Sequence, residues 1–199
     1  KRNIKFFVGS ALCLALFLMS HNLMTLIFTP VLVLFICYFL FKYKFKDLKI
    51  VLISFVLGIG LASFFLIPAF FEQNLIQANT LTELDFDYRG HFATVDQLFL
   101  DRSWGYGGSV FGPVDTISFQ MGIPYWWLPI LEGLNLLSMG IKAFKSNLFI
   151  ILLLIGFSIS AVMTHIKSLF IWEFIQPLKF MQFPWRFLIV TTFIAPLLL

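Results

Sequence analysis

Long apolar runs follow one another along most of this chain, and they leave few folds open to it. The stretches near residues 4–20, 22–42, 49–70, 123–141, 147–164 and 185–199 are almost free of charge. A helix rises about 1.5 Å per residue, so roughly 20 residues cross a hydrocarbon core of about 30 Å. The first run is short and its turn at Ser20-His21-Asn22 is tight, so the first two read as a hairpin able to dip into a bilayer instead of crossing it. The last runs into PLLL at Leu199, and the chain opens on Lys1, which together read as a portion of a longer protein. The basic start could pass for a signal peptide, yet no small-residue cleavage site comes after it.

Composition carries the same message. Apolar residues make up 60% of the chain and charged residues 12%, against roughly 45–50% and about 25% in soluble domains. The 27 phenylalanines suit lipid-facing and helix-packing positions and would promote aggregation on a soluble surface. The expected fold is therefore all-α: a polytopic transmembrane helical bundle of about six spans with one large external loop. Cys13 and Cys37 lie within apolar runs and read as small hydrophobes, not as a disulfide or a metal site. The net charge of +4 gathers at helix ends, as membrane topology demands, so nucleic acid is not an expected partner.

Lysine and arginine accumulate in short cytoplasmic loops. An alternating topology puts Lys1, Arg2, Lys5, Lys42, Lys44, Lys46, Lys49, Lys142 and Lys145 inside, against Arg89, Arg102, Lys167, Lys179 and Arg186 outside. The turn KYKFKDLK is the clearest cytoplasmic segment. This divides the chain into three spans over 1–70, an external polar loop over 71–122, two spans over 123–164, an external interfacial segment over 165–184 and a further span from 185 to 199. Seven of the ten acidic residues, Glu72, Glu83, Asp85, Asp87, Asp96, Asp101 and Asp115, fall in the large loop. In the second external segment, Trp172, Lys179 and Trp185 suit a helix lying in the interface.

The large loop holds Tyr88-Arg89-Gly90-His91, then Asp96-Gln97-Leu98, then DRSWGYGGSVFGPVDTISFQMG. Five glycines from Gly105 to Gly122, interleaved with Trp104, Tyr106 and Phe119, can bring backbone close to a ligand while aromatic faces stack on it, as sugar sites require. The plainer reading is a tightly turned loop. His91, Asp96, Asp101 and Asp115 supply acid–base groups or hard-cation ligands, but their spacing matches no metal motif and no metal site is assigned. His91 and Asp115 are the catalytic candidates; both residue types also serve loops simply by solvating well and capping turns.

Elsewhere, His21 and Asn22 sit between two apolar helices, where polar groups are costly, either as a functional pair or as a turn in which Asn caps the second helix. Glu72 closes the third helix and Glu132 lies within the fourth, facing a bundle interior if that helix spans. Gln182-Phe183-Pro184-Trp185-Arg186 opens the last helix with Arg186 at headgroup depth, where it pairs with a lipid phosphate or snorkels. No phosphate-binding glycine loop with lysine, GxSxG, HExxH or paired CxxC occurs.

Taken together, SHNLM, IPAFFE, HF…DQLF…WGYGGSVFGPVD…SFQMG and FMQFPWRFL resemble the bacterial membrane proteins labelled 6-pyruvoyl-tetrahydropterin synthase-related, over most of the chain. That family is not one of pterin enzymes; it is similar in organisation to the GT-C class of membrane glycosyltransferases, including mannosyltransferase-like and YfhO-like proteins. The resemblance implies a GT-C-like bundle in the bacterial cytoplasmic (inner) membrane, moving sugar from a polyprenyl-phosphate donor to a glycan, lipid or protein acceptor on the external face. It assigns to that face His21, Asn22, Glu72, His91, the run from Trp104 through Tyr106 and Ser109 to Asp115, Gln120, and Gln182 to Arg186. Arg102 or Arg186 would engage the donor phosphate. The catalytic carboxylate of such enzymes belongs to the first external loop, and this chain has no acidic residue before Asp47, so the base is expected upstream. No cofactor is implied beyond the lipid-linked sugar, and a divalent cation is left open; membrane lipids are the remaining partner. The other readings are a transporter or flippase, drawing on Glu132 and on Gly58 and Gly60 in the third helix, and a non-catalytic membrane scaffold.

Overall fold

The computed structural model describes residues 4–72, 75, 82, 84–112, 114–140 and 146–199; expectations resting on Lys1, Arg2, Glu83, Pro113, Lys142 and Lys145 lie outside them. The described residues are all-α, with two isolated bridges and no strand among them. They form two compact units, Lys1–Ala78 and Asn79–Leu199.

The first unit consists of α1 (Ile4–Ser20), α2 (Asn22–Lys42) and α3 (Leu48–Phe71). Ser54, Gly58 and Ala62 recur every fourth residue, so they share one face of α3. That face is buried against Ala11, Leu14 and Ala15 of α1, and Ser10 Oγ donates to Ser54 Oγ at 3.1 Å. A Cβ on Gly58 would stand 2.9 Å from the Ala11 carbonyl oxygen and from Leu14 Cδ2, whereas one on Gly60 would meet open space. Small residues let two backbones approach closely, which is how helices associate where lipid removes the hydrophobic drive.

His21, not Asn22, caps α2. His21 is extended (φ −167°, ψ 122°) and its Nδ1 accepts from Leu23 N at 3.2 Å. Asn22 is already the first helical residue, one place too late for its side chain to close the orphan amides of the first turn. The KYKFKDLK turn is made by Lys44 and Phe45 in the left-handed region.

With 21 and 24 residues, α2 and α3 run about 31 and 36 Å. Among the described residues, these two are long and apolar enough to cross a membrane.

The second unit holds α4 (Val95–Phe99), α5 (Ile123–Ser138), α6 (Leu148–Met163), α7 (Leu169–Phe174) and α8 (Leu188–Ile194), joined by 3-10 turns. Its core lies where Val190, Thr191 and Ile194 of α8 meet Leu153, Phe157 and Ser160 of α6, with Ile194 seated over Gly156. α5 and α6, at 16 residues each, run only about 24 Å. The last apolar run is no single helix: α8 is flanked by 3-10 turns at Pro184–Phe187 and Ala195–Leu198, each with a proline in its opening turn where the missing N–H does least harm.

The segment expected as one interfacial helix is likewise broken, into Ile166–Ser168, α7 and Gln176–Met181. Pro177 disfavours α-helix at Gln176 and so stops α7 before it. Trp172 is 1% exposed. Its ring stacks on Tyr88 at 5.3 Å and its indole N–H donates to the Met163 carbonyl at 3.2 Å, so it anchors a core instead of sitting at a water boundary.

Candidate functional site

The site is built on the 3-10 turn Tyr88–Gly90, which Asp87 caps by accepting from Arg89 N at 3.0 Å. Tyr88 is pinned beneath Trp172, and burial pushes its phenol above the ordinary range. His91, immediately after this turn, is 2% exposed. Its Nε2 lies 2.7 Å from the Asp85 carbonyl oxygen and its Nδ1 lies 2.9 Å from Ser109 Oγ. A carbonyl only accepts, so Nε2 carries a proton; in the neutral imidazole Nδ1 then holds the lone pair and Ser109 donates to it. The Phe183 ring meets the imidazole edge-on at 4.8 Å, and Phe111 does so at 6.1 Å.

Ser109 reaches His91 because the glycine-rich loop folds back over the turn. Gly112 donates its N–H to the Gly90 carbonyl at 2.9 Å from a left-handed backbone (φ +101°). Phe111 lies directly over Gly90, on ground that a Cβ would occupy. From the other side, Asp115 accepts from Val110 N at 3.0 Å and from Gln97 Nε2 at 2.9 Å. Gln97 in turn closes the capping box of α4 with Thr94. Asp115 therefore holds Val110, next to Ser109, with one carboxylate oxygen and Gln97 of α4 with the other, which ties the loop to that helix.

The second motif meets the first on one ring. The Arg186 guanidinium lies 5.0 Å above Phe183, on which His91 also packs, and Arg186 donates to the Met181 carbonyl at 2.7 Å. Gln182 holds the bend between them with φ +62°. Trp185 stacks between Phe119 and Phe183, its indole N–H buried without a hydrogen-bond partner.

No family, curated protein or solved structure matches this chain. The site must stand on its geometry.

The second unit thus gathers His91, Ser109, Asp115, Gln182 and Arg186. Trp104 and Tyr106 pair edge-on at 4.6 Å but are 77% and 86% exposed. Arg102 is exposed on the same loop and Gln120 is half-buried beyond it. His21, Asn22 and Glu72 belong to the first unit, where all three are exposed. Glu132 is half-buried on α5, with Asn135 Nδ2 at 3.4 Å. Asp101 is engaged by its own turn: the Ser103 N–H at 2.8 Å, then the Ser103 hydroxyl at 2.7 Å, hold its carboxyl below the ordinary value. Among the described residues, no three His, Cys, Asp or Glu are placed to share a metal ion.

Beside this site lies a cleft of about 310 Å³ that no sequence motif marks, lined by Thr82, Tyr88, Arg89, Trp172, Glu173, Gln176 and Lys179. Arg89 faces Asp87 at 3.4 Å and Glu173 at 3.7 Å. Both pairs are substantially solvated and contribute under about 1 kcal/mol each. The available signal was Glu173 itself, the lone carboxylate after Glu132. The Asp85 contact to His91 had no signal, because it is made by a backbone carbonyl.

Proposed function

We propose that this chain is part of a GT-C-like integral membrane glycosyltransferase of the bacterial cytoplasmic membrane. About six spans carry it, the basic turns are cytoplasmic and the large polar loop is external. It transfers sugar from a polyprenyl-phosphate donor to a glycan, lipid or protein acceptor. The observation that carries this reading is the convergence on Phe183 of two motifs some ninety residues apart in the chain: His91 of the glycine-rich loop and Arg186 of QFPWR. Both motifs belong to the family resemblance, and two long apolar helices support a membrane setting.

In this reading Arg186, with one N–H spent on Met181, offers its remaining donors to a donor phosphate, as a guanidinium does well. Trp104 and Tyr106 present open aromatic faces to a sugar ring. A carboxylate supplied upstream acts as base. The test is transfer of radiolabelled sugar from polyprenyl-phosphate donors by membranes carrying the full-length protein, its Arg186→Lys variant and its Trp104→Ala variant. Transfer that falls in both variants supports the reading. No transfer from any donor, with substrate movement sensitive to Glu132→Gln, turns the assignment to transport.

A further inference from the structure

We propose that Ser109 is a nucleophile with His91 as its general base, giving the glycine-rich loop an acyl-transfer activity on esters. Three observations combine. The Asp85 carbonyl, 2.7 Å from Nε2, fixes the imidazole as the tautomer whose lone pair is on Nδ1. Ser109 Oγ sits 2.9 Å from that lone pair, within the reach a base needs to take a hydroxyl proton. The base is 2% exposed whereas Ser109 is only half-buried, so water does not compete for Nδ1 while the hydroxyl stays open to a substrate.

A hydroxyl satisfied by histidine is also a common way to pin a loop. Here, however, the loop is already pinned on both sides of Ser109, by Thr116 N–H to the Gly108 carbonyl at 3.3 Å before it and by Val110 N–H to Asp115 after it. The imidazole is held independently, by the Asp85 carbonyl and the edge of Phe183. The arrangement has the three-part form of an activated nucleophile: hydroxyl, base, and a third group orienting the base.

The chemistry balances without any further reagent. Ser109 Oγ bonds to the carbonyl carbon of an ester as its proton passes to His91 Nδ1. The ester C–O bond then breaks, and the leaving alcohol takes that proton, leaving an acyl group on Ser109. Water or an acceptor hydroxyl attacks the acyl-serine, giving up its proton to Nδ1, and the regenerated Ser109 recovers it. This does not rest on the sugar-transfer reading, which needs no acyl-serine.

The experiment treats detergent-solubilised full-length protein with a fluorophosphonate probe and maps the adduct by peptide mass spectrometry. Ser109 is expected to carry the probe, and Ser109→Ala to lose it. His91→Gln is expected to slow labelling by about 100-fold or more, the usual contribution of a general base. Because His91→Gln alters a buried position, Ser109→Cys supplies a second measurement: its thiol should react with iodoacetamide near pH 6 at least about tenfold faster than the free thiol of a short cysteine peptide. A folded wild-type protein without probe on Ser109, or a Ser109→Cys thiol no faster than the peptide thiol, overturns the proposal.

Discussion

Ser109 donates its hydroxyl hydrogen to Nδ1 of His91 across 2.9 Å, eighteen residues away in sequence. The imidazole at the other end of that bond is enclosed, and its second nitrogen is satisfied by a main-chain carbonyl. Replacing it has a structural consequence as well as a chemical one. His91→Ala removes both hydrogen bonds and leaves a void beside Phe183; about 2–4 kcal/mol of stability in the second unit is expected to go with it. Thermal unfolding in detergent followed by tryptophan fluorescence reads the change. A melting temperature equal to wild type would mean that His91 is not the packed residue described.

Asp115 behaves differently if its task is positioning. Asp115→Asn keeps one oxygen acceptor, and Asp115→Ala keeps none. Hydrogen exchange at the Val110 amide is expected to quicken modestly in the first variant and by one to two orders of magnitude in the second, matching about 1.5–3 kcal/mol for hydrogen bonds to a charged acceptor. Unchanged exchange in Asp115→Ala would remove Asp115 from the scaffold.

The α1–α3 contact separates two glycines that look alike in sequence. Gly58→Leu drives a side chain into the Ala11 carbonyl and Leu14, and about 1–3 kcal/mol of destabilisation is expected. Gly60→Leu points into open space and gains the better helix former, so it should be neutral or slightly stabilising. Unfolding in mixed micelles compares them; equal effects would place the helix contact elsewhere.

Two tryptophans make an opposite pair. Trp172→Phe loses a satisfied N–H bond to Met163 and part of a stack with Tyr88, costing about 1–2 kcal/mol. Trp185→Phe discards a buried donor that has no hydrogen-bond partner, which offsets the lost area, and should shift stability by no more than about 0.5 kcal/mol. Denaturant midpoints decide between this ordering and its reverse.

Asp101 gives a pH signature. Its carboxyl is held below the ordinary value by the Ser103 N–H and hydroxyl, so it favours the folded turn above the unfolded-state value of about 3.8. That contribution fades as pH falls through the lower folded value. Carboxyl NMR of Asp101 should therefore titrate below that of an unfolded peptide, and Ser103→Ala should move it part of the way back, because the backbone N–H remains. A titration at the ordinary value in wild type would refute the turn.

Much of the local structure is written in the chain. The runs at 4–20, 22–42 and 49–70 became α1, α2 and α3 within a residue or so, because apolar runs of that length are too long for strands, even with Pro30 and Pro68 inside two of them. KYKFKDLK announced its turn, and the fifth run became α6 nearly intact. His91, Ser109 and Arg186 stood out because polar residues amid aromatics and glycine are conspicuous wherever they fold.

Other features depended on contacts between distant residues. A sequence shows that Trp172 is amphipathic but not that Tyr88 will cover it, and interface and core compositions are the same for such a ring. It shows that His91 has two nitrogens but not that a carbonyl at Asp85 will take the proton on one and leave the other facing Ser109. Hydropathy and local turn chemistry are properties of neighbours along the chain, and the sequence by itself determined the helices and turns that arise from them. Burial, tautomer and the meeting of His91 with Phe183 and Arg186 are properties of neighbours in space, and only the tertiary structure decided those.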